Sequence, residues 1–168
     1  MAHSLNLSVL AEGVEAQASF LRLPLPDTAC DNHPTLLLVD DEPNILTSLS
    51  RLLRREGDRI LTATSPNEAF EHLAKQAVQV ILSDQRMPEM SGTEFFARVR
   101  QLYPETICIV LTGYTDLDSV TGAINCEAIY KFLTKPWNDD QLREQIREAF
   151  RRAKDIRPPA LLPPLNHE

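Results

Sequence analysis

Between residues 35 and 154, short apolar runs alternate with stretches whose apolar positions recur at helical spacing. The first run, 35–40 (TLLLVD), is apolar without a break, as a strand buried on both faces requires. Pro43 then stands at the first turn of a helix, where its missing N–H is tolerated. Ile45, Leu46, Leu49, Leu52 and Leu53 form that helix's apolar stripe, and Gly57 is placed to end it. Residues 59–63 predict a second strand. Ser65 and Glu68 with Pro66 between them have the pattern of a capping box, and the helix they open turns Ala69, Phe70 and Leu73 inward. Further strands are predicted at 78–83 (VQVILS), 106–111 (TICIVL) and 129–133. Further helices are predicted at 92–102, with Phe95, Phe96 and Val99 inward, and, more weakly patterned, at 115–124. A last helix is capped by Asn138 and carries the stripe Leu142, Ile146, Ala149 and Phe150. Arg147, Arg151, Arg152 and Lys154 in its final turns suit the negative end of the helix dipole.

Five strands strictly alternating with five helices imply a parallel sheet covered on both faces. Right-handed crossovers then make the fold class α/β, a flavodoxin-like (βα)5 doubly wound sheet of strand order 2-1-3-4-5. Such sheets bind ligands beyond the C-terminal ends of their strands. The flanks differ from this zone. Residues 1–33 end in Pro24, Pro26 and a polar stretch that reads as a linker, so they form an N-terminal extension. The module itself spans 34–154. The remainder, 155–168, holds Pro158, Pro159, Pro163 and Pro164 and reads as an extended tail.

Composition narrows the function classes. The chain has 168 residues, too few for a complete TIM barrel of about 200 or more. Acids outnumber bases 24 to 17, for a net charge of −7, which argues against a broad nucleic-acid-binding surface. Cys30, Cys108 and Cys126 are too few and too irregular for a disulfide framework, which points to a reducing, cytoplasmic compartment. No apolar run approaches the roughly 18 residues of a membrane span, and the N-terminus lacks the pattern of a signal peptide. Cys30 and His33 have metal-like spacing without a second ligand pair, so no zinc site is expected.

The chemistry gathers at the strand ends. The first strand runs into Asp40 and Asp41, the third into Asp84, the fourth into Thr112, and the fifth ends near Lys135. In the order 2-1-3-4-5, strands 1 and 3 are neighbours, so Asp40, Asp41 and Asp84 converge. Clustered carboxylates repel one another unless a cation intervenes, and hard oxygen ligands suit Mg²⁺. A hydroxyl and an ammonium on the other side could hold an anion, which equips the pocket for phosphoryl transfer. Each piece has a plainer reading. An Asp pair after a strand often caps a helix, and a Lys-Pro pair usually lies in a loop. The weight rests on the conjunction.

Asp40-Asp41, the run Asp84-Gln85-Arg86-Met87-Pro88 with Gly92 after it, Thr112-Gly113 and Lys135-Pro136 together resemble the receiver domain of two-component response regulators. The resemblance covers residues 35–154. It implies that Asp84 accepts a phosphoryl group from a phosphohistidine on a sensor histidine kinase or phosphotransfer protein. It implies Mg²⁺ held by Asp41 and Asp84, by Asp40 largely through water, and by the backbone carbonyl of Arg86. Lys135 would pair with a phosphoryl oxygen, and Thr112 would move to hydrogen-bond it. Phe132 matches the aromatic switch position, and Lys135-Pro136 is similar to the family's cis peptide. The surface over 115–154 would then change state and meet an output domain or protein partner, with a homodimer as a further possibility. Arg86 and Tyr114, two residues beyond Asp84 and Thr112, flank the phosphoryl group in the family, and their bulk suggests that they shield it from water. No direct contact with nucleic acid or membrane is implied for this chain.

The stretches 83–92 (SDQRMPEMSG) and 111–137 are similar to receivers joined to HD-GYP cyclic-di-GMP phosphodiesterases or to hydrogenase-type transcriptional regulators. Residues 2–23 resemble the C-terminal end of an EAL cyclic-di-GMP phosphodiesterase, with Glu12 at a functional position of that motif, or form a helical extension in which Val14, Ala18 and Leu21 share a face. Two other functions stay open. One is a stand-alone receiver acting as a protein-binding module. The other is a phosphatase-like enzyme with an Asp nucleophile, although such enzymes carry Asp-x-Asp on the first strand, where this chain has adjacent acids.

Overall fold

The computed structural model describes residues 33–57, 59–116 and 127–156. It contains strands β1 (Thr35–Val39), β2 (Arg59–Ala63), β3 (Val80–Asp84), β4 (Ile107–Gly113) and β5 (Lys131–Lys135). The described helices are α1 (Pro43–Leu53), α2 (Pro66–Lys75), α3 (Gly92–Leu102) and α4 (Asp139–Ile156), and a single 3-10 turn spans Tyr114–Asp116. The strands form one sheet in the order β2-β1-β3-β4-β5, and every neighbouring pair is parallel. This is the doubly wound, flavodoxin-like arrangement that the alternating pattern predicts.

Strand alternation divides the core in two. Leu36, Leu38, Val80, Leu82, Ile109 and Leu111 point to the face covered by α1 and α4, where they meet Leu46, Leu49, Leu53, Leu142, Ile146 and Phe150. Leu37, Val39, Ile81, Cys108 and Val110 point to the other face, under α2 and α3, against Ala69, Leu73, Phe95, Phe96 and Val99. β1 is buried along its whole length, which explains its unbroken apolar run.

Several boundaries differ from the sequence pattern. β3 and β5 each begin two residues later than expected, because pairing of Val80 with Ile107 and of Lys131 with Ile109 sets the register. β4 runs on through Thr112 and Gly113. α1 ends at Leu53, not near Gly57, and three turn residues follow, with the Glu56 amide donating to the Leu53 carbonyl. Gly57 has no positive φ; it serves close packing, since a Cβ there would lie 3.4 Å from Phe150 Cζ. The expected capping box at Ser65 is half formed. Ser65 Oγ accepts the Glu68 amide, but the Glu68 carboxylate reaches past Ser65 to the amide of Thr64 at 2.7 Å. The reciprocal box closes instead at Ser91 and Glu94 on α3. Asn138 caps α4 as expected, through the Gln141 amide, and α4 continues to Ile156. Most of the helix expected at 115–124 lies outside the described residues, as do 1–32, with the EAL-like stretch and Cys30, and 157–168. Among the described residues, no helix is long and apolar enough to cross a membrane.

Candidate functional site

The C-terminal ends of β1, β3, β4 and β5 carry the polar residues into one place. Asp40 follows β1 directly and is buried; its Oδ1 accepts the Glu42 amide at 2.9 Å. Asp41 is exposed beside it. Asp84 is the last residue of β3, the strand next to β1. One carboxylate oxygen from each of the three lies within 4.8 Å of the others. Lys135, the last residue of β5, crosses over β4 to reach them. Its ammonium stands 3.0 Å from Asp84 Oδ1 and 3.2 Å from Asp40 Oδ2. The Lys135-Pro136 peptide is cis.

The charges explain the titration tendencies. Burial pushes the Asp84 carboxyl above the usual range; the Lys135 hydrogen bond and charge oppose this, and the Asp40 charge adds to it. Burial alone would lower the Lys135 pKa, but the hydrogen bonds and charges of Asp84 and Asp40 outweigh it and leave the ammonium favoured. One cation thus stands against three anions. That donor set, all hard oxygens and open at Asp41, fits a divalent cation such as Mg²⁺.

Thr112 lies on β4 between β3 and β5, fully buried, with its hydroxyl donating to the Gly113 carbonyl at 3.3 Å. Phe132 on β5 is half-buried and packs on the α2/α3 side of the core. Gly92 is needed for the approach of α3 to the strand end. A Cβ there would fall 2.6 Å from the Asp84 carbonyl oxygen and 3.2 Å from Gln85 Cα. The Gly92 amide donates to the Gln85 carbonyl at 3.0 Å, which closes the loop after Asp84.

Beside the carboxylates opens a hollow of about 730 Å³, lined by Asp41, Gln85, Arg86, Met87, Ser91 and Asp116 among others. Arg86 does not turn to Asp84. Its guanidinium pairs with Asp116 Oδ1, at 2.8 Å from Nε and 2.6 Å from Nη2. Tyr114 is 69% exposed. Two residues at the site have no role in the sequence reading. Asp116 carries no signal of its own, since its role depends on the path of the turn after β4. Gln85 is buried with Oε1 lacking a partner among the described residues. A polar residue directly after a strand's functional Asp was the one available hint.

A doubly wound parallel sheet with a lysine-bridged carboxylate cluster at its switch point defines the class: an α/β module built to hold a cation and an anion side by side. The family model for the response regulator receiver domain matches residues 36–147, and the chain belongs to that family. It is thus a receiver domain of the two-component response regulators, a signalling domain and not a catalytic one. It is 43% identical over 119 residues to the hydrogenase transcriptional regulatory protein HoxA of Cupriavidus necator, covering 71% of this chain and 24% of that protein. It is 36% identical over 115 residues to the transcriptional regulatory protein GlrR of Escherichia coli, covering 68% of this chain and 26% of that one. The chain therefore spans about a quarter of the length of these curated relatives. Among solved structures, the receiver domain of an HD domain-containing protein from Pseudomonas fluorescens superposes with a TM-score of 0.69 at 36% identity, covering 73% of this chain and 90% of that one. A receiver domain from Clostridium thermocellum gives 0.68 at 30%, covering 74% and 99%.

Proposed function

We propose that this receiver takes a phosphoryl group on Asp84 from the phosphohistidine of a sensor histidine kinase or phosphotransfer protein. The observation that carries this is the Lys135 ammonium, held within hydrogen-bond distance of both Asp84 and Asp40 at the meeting of three strand ends. Asp84 supplies the nucleophile. A carboxylate oxygen bonds to phosphorus as the phosphorus–nitrogen bond breaks, and the electron pair leaves on the imidazole. Lys135 stays to pair with a phosphoryl oxygen. The Thr112 hydroxyl turns from the Gly113 carbonyl to the phosphoryl group, and Phe132 follows it inward. Asp41, Asp84 and the Arg86 carbonyl would hold Mg²⁺ directly, with Asp40 acting through water. Bound there, Mg²⁺ would offset the carboxylates and the roughly −2 charge that the phosphoryl group brings.

The 115–154 surface then delivers the change. On its described part Arg152 lies over the Tyr130 ring at 5.0 Å, and the Lys131 ammonium stands 3.6 Å from Glu148. The output is transcription, by likeness to the hydrogenase regulator, or cyclic-di-GMP turnover, by the resemblance of 83–92 and 111–137 to receivers of HD-GYP phosphodiesterases and by the EAL-like residues 2–23. It reaches its target through an attached domain or a protein partner on that face, with a homodimer as a further mode of association. Residues 34–154 act as the receiver unit, 1–33 as an extension and 155–168 as a tail.

The test is labelling by an acyl phosphate with Mg²⁺, read by mass spectrometry on the intact chain. Wild type gains one phosphoryl group and Asp84→Asn gains none. Labelling that persists in Asp84→Asn overturns the assignment.

A further inference from the structure

We propose that Asp116 is a positioning residue for the phosphoryl chemistry: by pairing with Arg86 it holds a strap across the mouth of the pocket, slowing the entry of water and of small phosphodonors. This rests on the reading of Asp84 as the phosphoacceptor. The pair joins the loop after β3 to the turn after β4, the two strands that carry Asp84 and Thr112. Arg86 and Asp116 line the same hollow as Asp41 and Gln85, so the pair borders the hollow that opens beside the exposed Asp41 end of the carboxylate cluster.

The two partners are unequal. The Arg86 side chain is 72% exposed and the Asp116 side chain 13%. A long arm on the solvent side is therefore held by an anchor sunk in the protein. Both guanidinium contacts fall on Asp116 Oδ1, and the other carboxylate oxygen faces the Gly113 backbone, where a Cβ would lie 3.6 Å from it. An arginine laid across an opening covers it with its apolar stem as well as its charged head.

The strap bears on two reactions. In hydrolysis a water oxygen bonds to phosphorus, and the bond from phosphorus to the Asp84 oxygen breaks. Its electron pair returns to the carboxylate, and inorganic phosphate carries off the proton. In labelling by acetyl phosphate the same carboxylate attacks and acetate leaves. A strap slows both, because both reagents arrive through the mouth. Structural damage instead slows labelling. A guanidinium acting only through its charge gives opposite effects in Arg86→Ala and Asp116→Asn.

The experiment measures label gain from acetyl phosphate and label loss after its removal, on the full chain with Mg²⁺. The variants are Asp116→Asn, Arg86→Ala, the double mutant and Asp116→Glu. The expected result is that Asp116→Asn and Arg86→Ala each speed both rates about two- to fivefold, the scale an ion pair of this exposure can supply. The double mutant matches the single ones, and Asp116→Glu returns toward wild type. The Arg86 Nε–H signal, observed by NMR without phosphodonor, exchanges slowly in wild type and rapidly in Asp116→Asn. Additive effects, opposite effects, slower labelling, unchanged rates or no recovery in Asp116→Glu overturn the strap. Failure of wild type to label at Asp84 overturns the phosphoacceptor reading and the strap with it; normal labelling with unchanged rates overturns the strap alone.

Discussion

Replacing Asp84 by Asn removes one charge from a cluster whose repulsions and attractions are nearly balanced. At an effective dielectric of about 20, two carboxylates at 4.8 Å, the outer bound of the separations in the cluster, repel by about 3.5 kcal/mol, and an ion pair at 3.0 Å attracts by about 5.5 kcal/mol. Asp84 feels one such attraction, from Lys135, and repulsion from both Asp40 and Asp41. Asp41 is exposed, so water screens much of its share. Attraction and repulsion therefore come close to cancelling, and the partial burial of Asp84 tips the balance against its charge. Its raised pKa has the same origin. Lys135 is not stranded by the change, because Asp40 remains 3.2 Å away. Asp84→Asn is thus expected to stabilise the metal-free fold by about 1 kcal/mol, which raises the melting temperature by about 3–6 °C in a domain of this size.

The assay is thermal and urea unfolding of wild type and Asp84→Asn, each in EDTA and in Mg²⁺. The variant should be the more stable in EDTA, and Mg²⁺ should raise the wild-type midpoint more, since a ligand that binds only the folded state stabilises it. The pH dependence has a definite sign. A folded pKa above the unfolded value gives a contribution present below the unfolded pKa and lost as pH rises through the folded pKa. The advantage of Asn should accordingly be absent in acid, where Asp84 is protonated, and appear as pH rises through the raised pKa. An Asn variant equal to or less stable than wild type in EDTA at neutral pH refutes the electrostatic reasoning.

Gly92→Ala forces a Cβ to within 2.6 Å of the Asp84 carbonyl oxygen, so backbone must move. The expected cost is about 1–3 kcal/mol in urea unfolding, with slower labelling of Asp84. Ser91→Ala opens the Ser91–Glu94 capping box and should cost about 1 kcal/mol by the same measurement, whereas Ser91→Asn keeps most of the stability. Burial pushes the Cys108 thiol up to about 12, so iodoacetamide at pH 8 should leave the Cys108 peptide unmodified in the folded protein and alkylate it in urea. The unfolded thiol ionises first, so Cys108 should make the fold less stable as pH rises above about 9, and Cys108→Ala should flatten that part of the stability profile.

The sheet order and the convergence of Asp40, Asp41, Asp84, Thr112 and Lys135 were legible because both follow from one-dimensional pattern. Unbroken apolar runs mark strands, strict alternation with helices makes them parallel, and strand ends in such a sheet share one edge. Boundaries were less legible where a ladder decides them. Nothing in IYKFLTK separates Ile129 from Lys131 as the strand's first residue, since the choice is made by Ile109 across the sheet. The capping residues were ambiguous for a related reason. Thr64-Ser65 and Ser91 each precede a suitable Glu, and only the backbone path decides which amide that Glu can reach.

The same distinction separates the carboxylate cluster from the Arg86–Asp116 pair beside it. Each cluster residue ends or follows a strand, and a strand end is fixed by a hydrogen-bonded ladder that the pattern reveals. Arg86 and Asp116 sit on connections, thirty residues apart in sequence, and their meeting depends on how two loops leave neighbouring strands. Arg86 and Tyr114 lie at matching positions, two residues beyond Asp84 and Thr112, so counting favours Arg86 with Tyr114. The turn after β4 instead leaves Tyr114 exposed and brings Asp116 to the guanidinium. Electrostatics supports that choice. Of the two residues, only Asp116 offers Arg86 a charge, and it does so from a nearly buried position, where a carboxylate needs a cation most. The cluster accounts for how a phosphoryl group could be held. The loops, which the sequence pattern does not order, are where proteins sharing this sheet can differ in how long they hold it.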